Sequence, residues 1–328
     1  MTAPRYFLTG ATGLVGSHLA RHLLAAGHPV AALRRARSRL DLLGDVAGRI
    51  EWIEGDLLDV PLLVDCCAKA EVVVHAAAVV SFQPRDAEAM RRANVDGTAN
   101  VVNACLAGGV KKMCHISSVA ALGKPGPDGF ISEKSVWDAE FATSYYAETK
   151  YLAEREVWRG GAEGLEVVVV NPSVVLGEGL PDQSTGPLFG YVAGGGRYYP
   201  PGLVNVVDVL DVARAVHLLC QSPVAGERFV LNAANLPYRD FFGQIAAALG
   251  KPAPAKLLSP GWAKVLPMLA KLGGWLTGQP PKLTSEVLRA SMQQHRYQTQ
   301  KVERALDFRF APAEQTIVRV AQWYQDKF

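Results

Sequence analysis

Tyr6-Phe7-Leu8-Thr9-Gly10-Ala11-Thr12-Gly13-Leu14-Val15-Gly16-Ser17-His18-Leu19 is a short apolar strand that runs into glycines spaced three apart and then opens an amphipathic helix. A tight strand-to-helix turn needs residues without Cβ, and the free N–H groups at the positive end of the helix suit a pyrophosphate. On this reading Gly10 makes the turn, Gly13 lets the phosphates approach and Gly16 lets helix and strand pack closely. Thr12, Leu14 and Val15 belong to the same dinucleotide-binding turn. Three glycines in a loop also fit a plain structural turn, so the surrounding sequence has to decide.

The helix is expected from about Leu14 to Ala26, with Val15, Leu19, Leu23 and Ala26 on one face and Gly27 as its C-terminal stop. A second strand, Val30 to Leu33, follows directly. In a dinucleotide fold the end of this strand meets the adenosine ribose, where an acidic residue would bind the 2′-hydroxyl of NAD. The chain instead reads Arg34 and Arg35 there. Arginine cannot accept that hydroxyl's hydrogen bond but pairs well with a 2′-phosphate, so NADP is the better match and NAD the alternative. Two solvated arginines in a basic loop that runs on to Arg37 and Arg39 are the other reading of the same residues.

With 328 residues and 49% hydrophobic content the chain can bury a large core and fits one large or two closely joined domains. Lys plus Arg number 34 against 31 Asp plus Glu, leaving a charge of +3, and no basic stripe is interleaved with aromatics, which argues against a nucleic-acid partner. A small-molecule partner is expected instead. The five cysteines include the adjacent Cys66-Cys67 but show no CxxC or zinc spacing, and no charged-then-apolar leader precedes the first strand, so a reducing cytoplasm is expected. The most membrane-like stretch, Pro260 to Gly278, is interrupted by Lys264, Pro267, Lys271 and two glycines, and reads as an amphipathic helix pair that could cover a substrate pocket. No membrane partner follows from it. Among the seven histidines only His18 and His22 sit at ligand spacing, and these flank a buried helix face, so no metal is implied.

Apolar runs of strand length recur at Tyr6–Leu8, Val30–Leu33, Ile50–Ile53, Val72–His75, Lys112–Ile116, Val167–Val170 and Phe229–Leu231, with helical patterns between most of them. Near-continuous Val, Ile and Leu in strands that alternate with helices predict an α/β fold, a Rossmann-type doubly wound parallel sheet covered on both faces. From Gly177 the texture changes to glycines and prolines. The chain is expected to return to the sheet with Val204–Val207, a helix Val209–Leu219 and the strand Phe229–Leu231. This gives a nucleotide domain of 1–178 plus about 203–232, and a smaller, discontinuous substrate region of about 179–202 plus 233–328.

Strand five ends in His115-Ile116-Ser117-Ser118, and Ser144-Tyr145-Tyr146-Ala147-Glu148-Thr149-Lys150 reads as the start of a helix. Tyr146 and Lys150, four apart, share one helical face. A nearby cation would favour the phenolate and lower the phenol's pKa, allowing Tyr146 to exchange a proton with a substrate oxygen. Ser118, at the carboxyl end of its strand, would hydrogen-bond that oxygen. A Tyr and a Lys at this spacing also occur in many ordinary helices, and it is the nucleotide-binding turn and the strand-end serine that favour chemistry.

Thr9 to Gly16, Gly55-Asp56-Leu57, His75 to Ala78, Asn94 to Thr98, Ser117-Ser118, Tyr146 to Lys150 and Asn171-Pro172-Ser173 together resemble the extended short-chain dehydrogenase/reductase family over nearly the whole chain. The resemblance implies that Asp56 binds the adenine amine, Leu57 packs on the adenine and Ala76, Ala77 and Ala78 line the pyrophosphate and ribose. Tyr146 and Lys150 would contact the nicotinamide ribose, and Pro172, Ser173, Val174 and Val175 would flank the nicotinamide. It further implies a structural asparagine at Asn94 on a helix Asp86–Ala107, and a homodimer through that helix and Tyr146–Trp158.

Within the family, 4,6-dehydratases carry Thr-Asp-Glu after the strand-five serine, whereas this chain reads Ser118-Val119-Ala120-Ala121, which argues against elimination. Sugar epimerases usually hold a substrate pyrophosphate with an arginine where this chain has Val204, with Arg197 the nearest basic residue. The run Val170 to Gly177 looks like the branch containing dihydroflavonol 4-reductases and cinnamoyl-CoA reductases. The leading expectation is an NADP(H)-dependent carbonyl reductase or alcohol dehydrogenase with Ser-Tyr-Lys catalysis. An NAD-dependent sugar epimerase and a non-catalytic dinucleotide sensor are the alternatives. Phe82, Trp137, Phe189, Tyr191, Tyr198, Tyr199, Trp262 and Trp275 are candidates for an apolar substrate wall, or else core.

Overall fold

A computed structural model describes residues 3–141, 144–259, 261 and 285–327. The seven apolar runs all become strands: β1 (Tyr6–Thr9), β2 (Val30–Arg34), β3 (Glu51–Glu54), β4 (Val72–His75), β5 (Lys112–Ile116), β6 (Glu166–Pro172) and, later in the chain, β10 (Glu227–Leu231). They form one sheet in the order β10-β6-β5-β4-β1-β2-β3, parallel throughout. The order reverses between β1 and β4, which opens a crevice beyond their carboxyl ends, where such sheets bind ligands.

Successive side chains of a strand point to opposite faces, and these runs are apolar on both because helices cover both faces of the sheet. Tyr6 and Leu8 of β1 pack with Leu19 and Leu23 of α1 (Leu14–Ala25) and with Val212, Val216 and Leu219 of α7 (Val209–Gln221). Phe7, between them, faces the opposite layer: α2 (Val60–Cys67), α4 (Gly97–Ala107) and α5 (Tyr145–Ala162). The Asp86–Ala107 helix is a composite: α3 (Ala87–Arg91), a wider π segment over Arg92–Asp96, then α4. The π turn carries Asn94, and such widened turns are a common way of aiming one side chain out of helical register.

Val204–Val207 does not return to the main sheet as expected. It lies in β9 (Leu203–Asp208), the centre of a separate three-stranded sheet with β7 (Val174–Leu176) and β11 (Ala234–Pro237). The cause lies at the end of β6. Pro172 has no N–H to give to a ladder, the Ser173 N–H makes the last rung to the Leu231 carbonyl of β10 at 2.9 Å, and beyond it the chain leaves the sheet and restarts as β7. The new sheet packs on α6 (Gly186–Ala193), α8 (Tyr238–Leu249) and the last helix, Ala313–Gln325, around Phe189, Phe241, Ile317 and Tyr324. Asp208, which caps α7 through the Leu210 N–H, accepts with both carboxylate oxygens from Nη2 of Arg319 on that last helix at 2.7 Å and so ties the two layers.

The Pro260–Gly278 stretch, with Trp262 and Trp275, lies outside the described residues apart from Gly261. No helix among the described residues is long and apolar enough to cross a membrane. Because Leu23 is fully buried between α1 and the sheet, Leu23→Ala is expected to cost about 3 kcal/mol. Leu218→Ala, at a position 37% exposed on α7, is expected to stay within about 0.5 kcal/mol of wild type. Urea unfolding midpoints check both, and equal losses would contradict the assigned layer.

Candidate active site

The turn after β1 is shaped by contact with the loop after β4. Gly10 has φ +75°, and a Cβ there would lie 2.5 Å from the Ala77 nitrogen and 2.6 Å from the Ala76 carbonyl carbon. A Cβ on Gly16 would lie 2.1 Å from the Gly10 oxygen, so α1 and the turn also interlock only without side chains. Gly13 differs: a Cβ there would meet only the Gly10 oxygen, at 3.4 Å. Gly13 is the N-cap of α1 and offers no side chain to its first N–H groups, whereas α2, α5 and α7 are capped by Asp59, Ser144 and Asp208. The first turn of α1 carries no acidic residue either. A bare, positive helix end is therefore held open at the crevice, which suits a pyrophosphate.

A single cleft of about 830 Å³ runs from this turn across the ends of β1, β2 and β4. It brings together ten of the expected residues: Gly10, Thr12, Gly13, Arg34, Arg35, Asp56, Leu57, Ala76, Ala77 and Ala78. Three others of the turn face elsewhere. Gly16 is buried by packing, Val15 lies against the core, and Leu14 approaches the Gly177–Gly179 backbone. Pro172 and Ser173 are buried at the β6–β7 junction, while Val174 is exposed and Val175 half-buried, all outside the cleft wall.

The far end of the cleft is basic. Arg34, Arg35, Arg37, Arg39 and Arg92 line it with Ser38, facing the acids Asp41 and Asp56. Arg39 is paired with Asp41 at 2.7 Å. Arg34 lies over the Trp52 ring at 5.8 Å, and its Nε is buried with no hydrogen-bond partner among the described residues. An unpaired buried guanidinium nitrogen is costly and fits an anion that is still to bind. Arg92 was not foreseen; it lines the cleft with Ala89 and Ala93, three and four residues apart on one helical face.

Ser118 and Tyr146 are brought together where α5 packs on the turn after β5, close enough for the Ser118 side chain to act on the phenol. Ser118 ends the extended backbone after β5, and Tyr146 stands in the first turn of α5, positioned by the Ser144 cap on the Ala147 N–H at 3.1 Å. Lys150, one turn further on, is only 2% exposed and donates to the Ile116 carbonyl at 2.8 Å. The expected depression of the phenol pKa does not occur here. Burial pushes the Tyr146 phenol up, and the Ser118 side chain opposes it only in part. The ammonium is occupied with the Ile116 carbonyl, and burial brings Lys150 itself down to about 8.

The paired residues are joined to the cleft by Asn94. Its Oδ1 accepts the Val79 N–H at 2.7 Å, and its Nδ2 donates to the Val79 carbonyl at 2.9 Å and to Thr149 Oγ1 at 3.1 Å. Val79 lines the cleft, and Thr149 lies between Tyr146 and Lys150. Behind it runs a chain that sequence reasoning missed. Thr98 donates to the Asn94 carbonyl at 2.5 Å, so it must accept from His75 Nε2 at 2.9 Å. His75 Nδ1 then accepts from Thr9 Oγ1 at 2.7 Å, and that oxygen receives the Ala77 N–H at 3.3 Å. This arrangement requires neutral His75, in agreement with burial pulling it down to about 3.

Of the proposed aromatic wall, Phe82 lies edge-on to Tyr146 at 6.2 Å and Trp137 stacks on Tyr151 at 4.4 Å. Phe189 is fully buried in the second core, and the Tyr191 hydroxyl is bonded to the Tyr198 backbone, which itself is largely exposed. Tyr199 packs partly buried against that same second core.

The chain belongs to the NAD dependent epimerase/dehydratase family, whose model matches residues 6–234. A Synechocystis sp. protein provisionally named a dihydroflavonol 4-reductase is 31% identical over 98% of this chain and 94% of its own length. Cinnamoyl-CoA reductase 1 of Petunia hybrida is 27% identical over 98% and 92% of the two chains. The crystal structure of gox2253 superposes with a TM-score of 0.83 at 30% identity, covering 99% of this chain and 98% of the other. The seven-stranded sheet with its smaller C-terminal subdomain is thus the fold of this family, and a nicotinamide dinucleotide is its typical cofactor.

His115 offers a test of the buried layer beside Lys150. It stacks on His75 at 5.3 Å, is 1% exposed, and neither ring nitrogen has a hydrogen-bond partner among the described residues. Burial holds its pKa well below the ordinary value. Because only the unfolded chain then takes up the proton, stability falls as pH drops below about 6.5, by roughly 1.4 kcal/mol per pH unit for each such histidine. His115→Phe should flatten that slope between pH 6.5 and 5 by about one histidine's share, measured as urea unfolding free energy; an unchanged slope would show that His115 is protonated in the native state.

Proposed function

We propose that the protein is an NADP(H)-dependent carbonyl reductase or alcohol dehydrogenase of the dihydroflavonol 4-reductase-like kind. The observation that carries this reading is the meeting of Ser118 and Tyr146, with Lys150 one turn on, at the carboxyl end of β5 and joined through Asn94 to the cleft. The names of the relatives, which are reductases, support it.

The dinucleotide, when bound, exchanges a hydride with the substrate carbon. Tyr146 gives its phenolic proton to the carbonyl oxygen as that carbon is reduced, and recovers one from solvent. Ser118 donates a hydrogen bond to the same oxygen and polarises the carbonyl. Lys150 supplies a cation beside the phenol and reaches the ribose side of the site once it is released from the Ile116 carbonyl. Gly10, Thr12 and Gly13 hold the pyrophosphate, Asp56 and Leu57 the adenine, and Ala76 to Ala78 the adjoining ribose. Pro172 to Val175 border the nicotinamide. Arg34 and Arg35, with Arg37 and Arg92 beside them, take the 2′-phosphate. The substrate is a small carbonyl or alcohol with apolar character, and the active form is a homodimer.

Fluorescence titration of the purified protein with NADPH and NADH is expected to show at least about tenfold tighter NADPH binding, about one charge-assisted contact's worth. That preference should collapse in Arg34→Ala or Arg35→Ala. Equal affinities, or copurified NAD that resists removal, would transfer support to the epimerase. On a carbonyl substrate found by panel screening, Tyr146→Phe should lower kcat by at least about 100-fold with NADPH affinity unchanged. Full turnover by that variant would overturn the mechanism.

A further inference from the structure

Beneath the Ser118–Tyr146 pair lies a buried carboxylate that this mechanism does not use. Glu154, one helical turn beyond Lys150 on α5, is 1% exposed. Its Oε1 accepts from Ser117 Oγ at 2.5 Å and from Asn171 Nδ2 at 2.6 Å, while Oε2 faces Arg228 Nη1 at 3.3 Å. Burial raises the Glu154 pKa, and the Ser117, Arg228 and Asn171 donors around its two oxygens oppose that shift by favouring the carboxylate. Asn171 Nδ2 also reaches the Ser118 carbonyl at 2.9 Å. Three consecutive residues, the last of β5 and the two after it, are therefore each held: Ile116 by Lys150, Ser117 by Glu154 and Ser118 by Asn171.

The surroundings of Lys150 make this carboxylate electrically significant. On β4 and β5 its neighbours are His75 and His115, both kept neutral by burial. Tyr146, on its own helix, is a neutral phenol whose pKa is raised. Burial disfavours the Lys150 ammonium, and Glu154 is the group that counters it. Arg228, from β10, competes for the same carboxylate across the sheet edge and is anchored by the Glu133 carbonyl at 3.0 Å.

We propose that Glu154 is a positioning residue for the Ser118, Tyr146 and Lys150 set: its carboxylate holds the Ser117 hydroxyl and the Asn171 amide that binds the Ser118 carbonyl, and it is the counter-charge to Lys150 one helical turn away. This rests on the reductase reading for its catalytic meaning. The electrostatic assignment does not need turnover to be tested. Removing the carboxylate leaves the ammonium alone in a buried site and makes it lose its proton at lower pH. Removing Arg228 frees the carboxylate for Lys150 and has the opposite sign.

The test is a pH titration of the Lys150 Cε resonance in protein labelled with [13C]lysine, the signal assigned by its loss in Lys150→Met. Glu154→Gln, which can still accept from Ser117 and Asn171, should lower the midpoint by about one pH unit, and Arg228→Gln should raise it by a smaller amount. Glu154→Asp, which keeps the charge, should stay near wild type. The alkaline limb of kcat against pH on the screened carbonyl should move with these midpoints. A purely structural Glu154 would cost stability in both neutral variants and leave the midpoints in place, which would overturn the assignment. If Glu154→Gln does not fold, an unmoved midpoint in Arg228→Gln does so by itself. A wild-type protein that reduces no carbonyl while the midpoints shift as stated would remove the reductase reading and leave the role of Glu154 standing.

Discussion

The site depends on one steric constraint, the approach of the β1–α1 turn to the loop after β4. With the Gly10 Cα so close to the Ala76–Ala77 backbone that a Cβ would sit 2.5 Å from a main-chain nitrogen, the two loops form one wall. Side chains cannot be accommodated between them, because main-chain atoms cannot swing aside as a flexible side chain could. Gly16 against the Gly10 oxygen imposes the same limit from the helix side. Together they set the bare end of α1 at the point where the strand order reverses, and a crevice with a positive rim is the result.

From that wall a hydrogen-bonded chain carries position to the reacting groups. Thr9, His75, Thr98 and Asn94 have their donor and acceptor roles determined one by one, ending at Val79 on the cleft and Thr149 beside Tyr146. In such a buried chain an uncompensated donor costs more than a made bond contributes, so each member holds the next in one orientation. Around α5, Lys150 holds the Ile116 carbonyl, Glu154 the Ser117 hydroxyl and Asn171 the Ser118 carbonyl. The Ser118–Tyr146 contact thus lies between two elements, β5 and α5, that Lys150 and Glu154 already fasten to each other.

Periodicity made much of this legible in advance. The seven strands fall where Val, Ile and Leu run together, because both faces of a parallel sheet are covered and the strand has no polar side to show. The glycine spacing announced the turn, and Ser118, Tyr146 and Lys150 could be chosen because helical spacing places the latter two on one face. Other features were not legible. The departure of β9 into a second sheet depends on where Pro172 and Ser173 leave the ladder, which is a matter of available edges. The direction of the Tyr146 shift depends on burial and on Lys150 bonding to Ile116, neither of which a spacing of four residues reveals. Glu154 was in plain view four residues beyond Lys150, yet an acid following a lysine on a helix is usually a solvated pair, and only packing shows that this one is buried.

The sequence by itself determined the class of fold, the dinucleotide turn and the identity of the candidate reacting residues, because these follow from local periodicity and from the steric needs of residues without Cβ. Only the tertiary structure decided which groups meet. It placed Arg92 on the wall of the cleft, made His75 a neutral link between Thr9 and Thr98, and buried Glu154 one helical turn from Lys150. Those outcomes are electrostatic and depend on burial, and burial belongs to the packing of distant segments, which no short stretch of sequence contains.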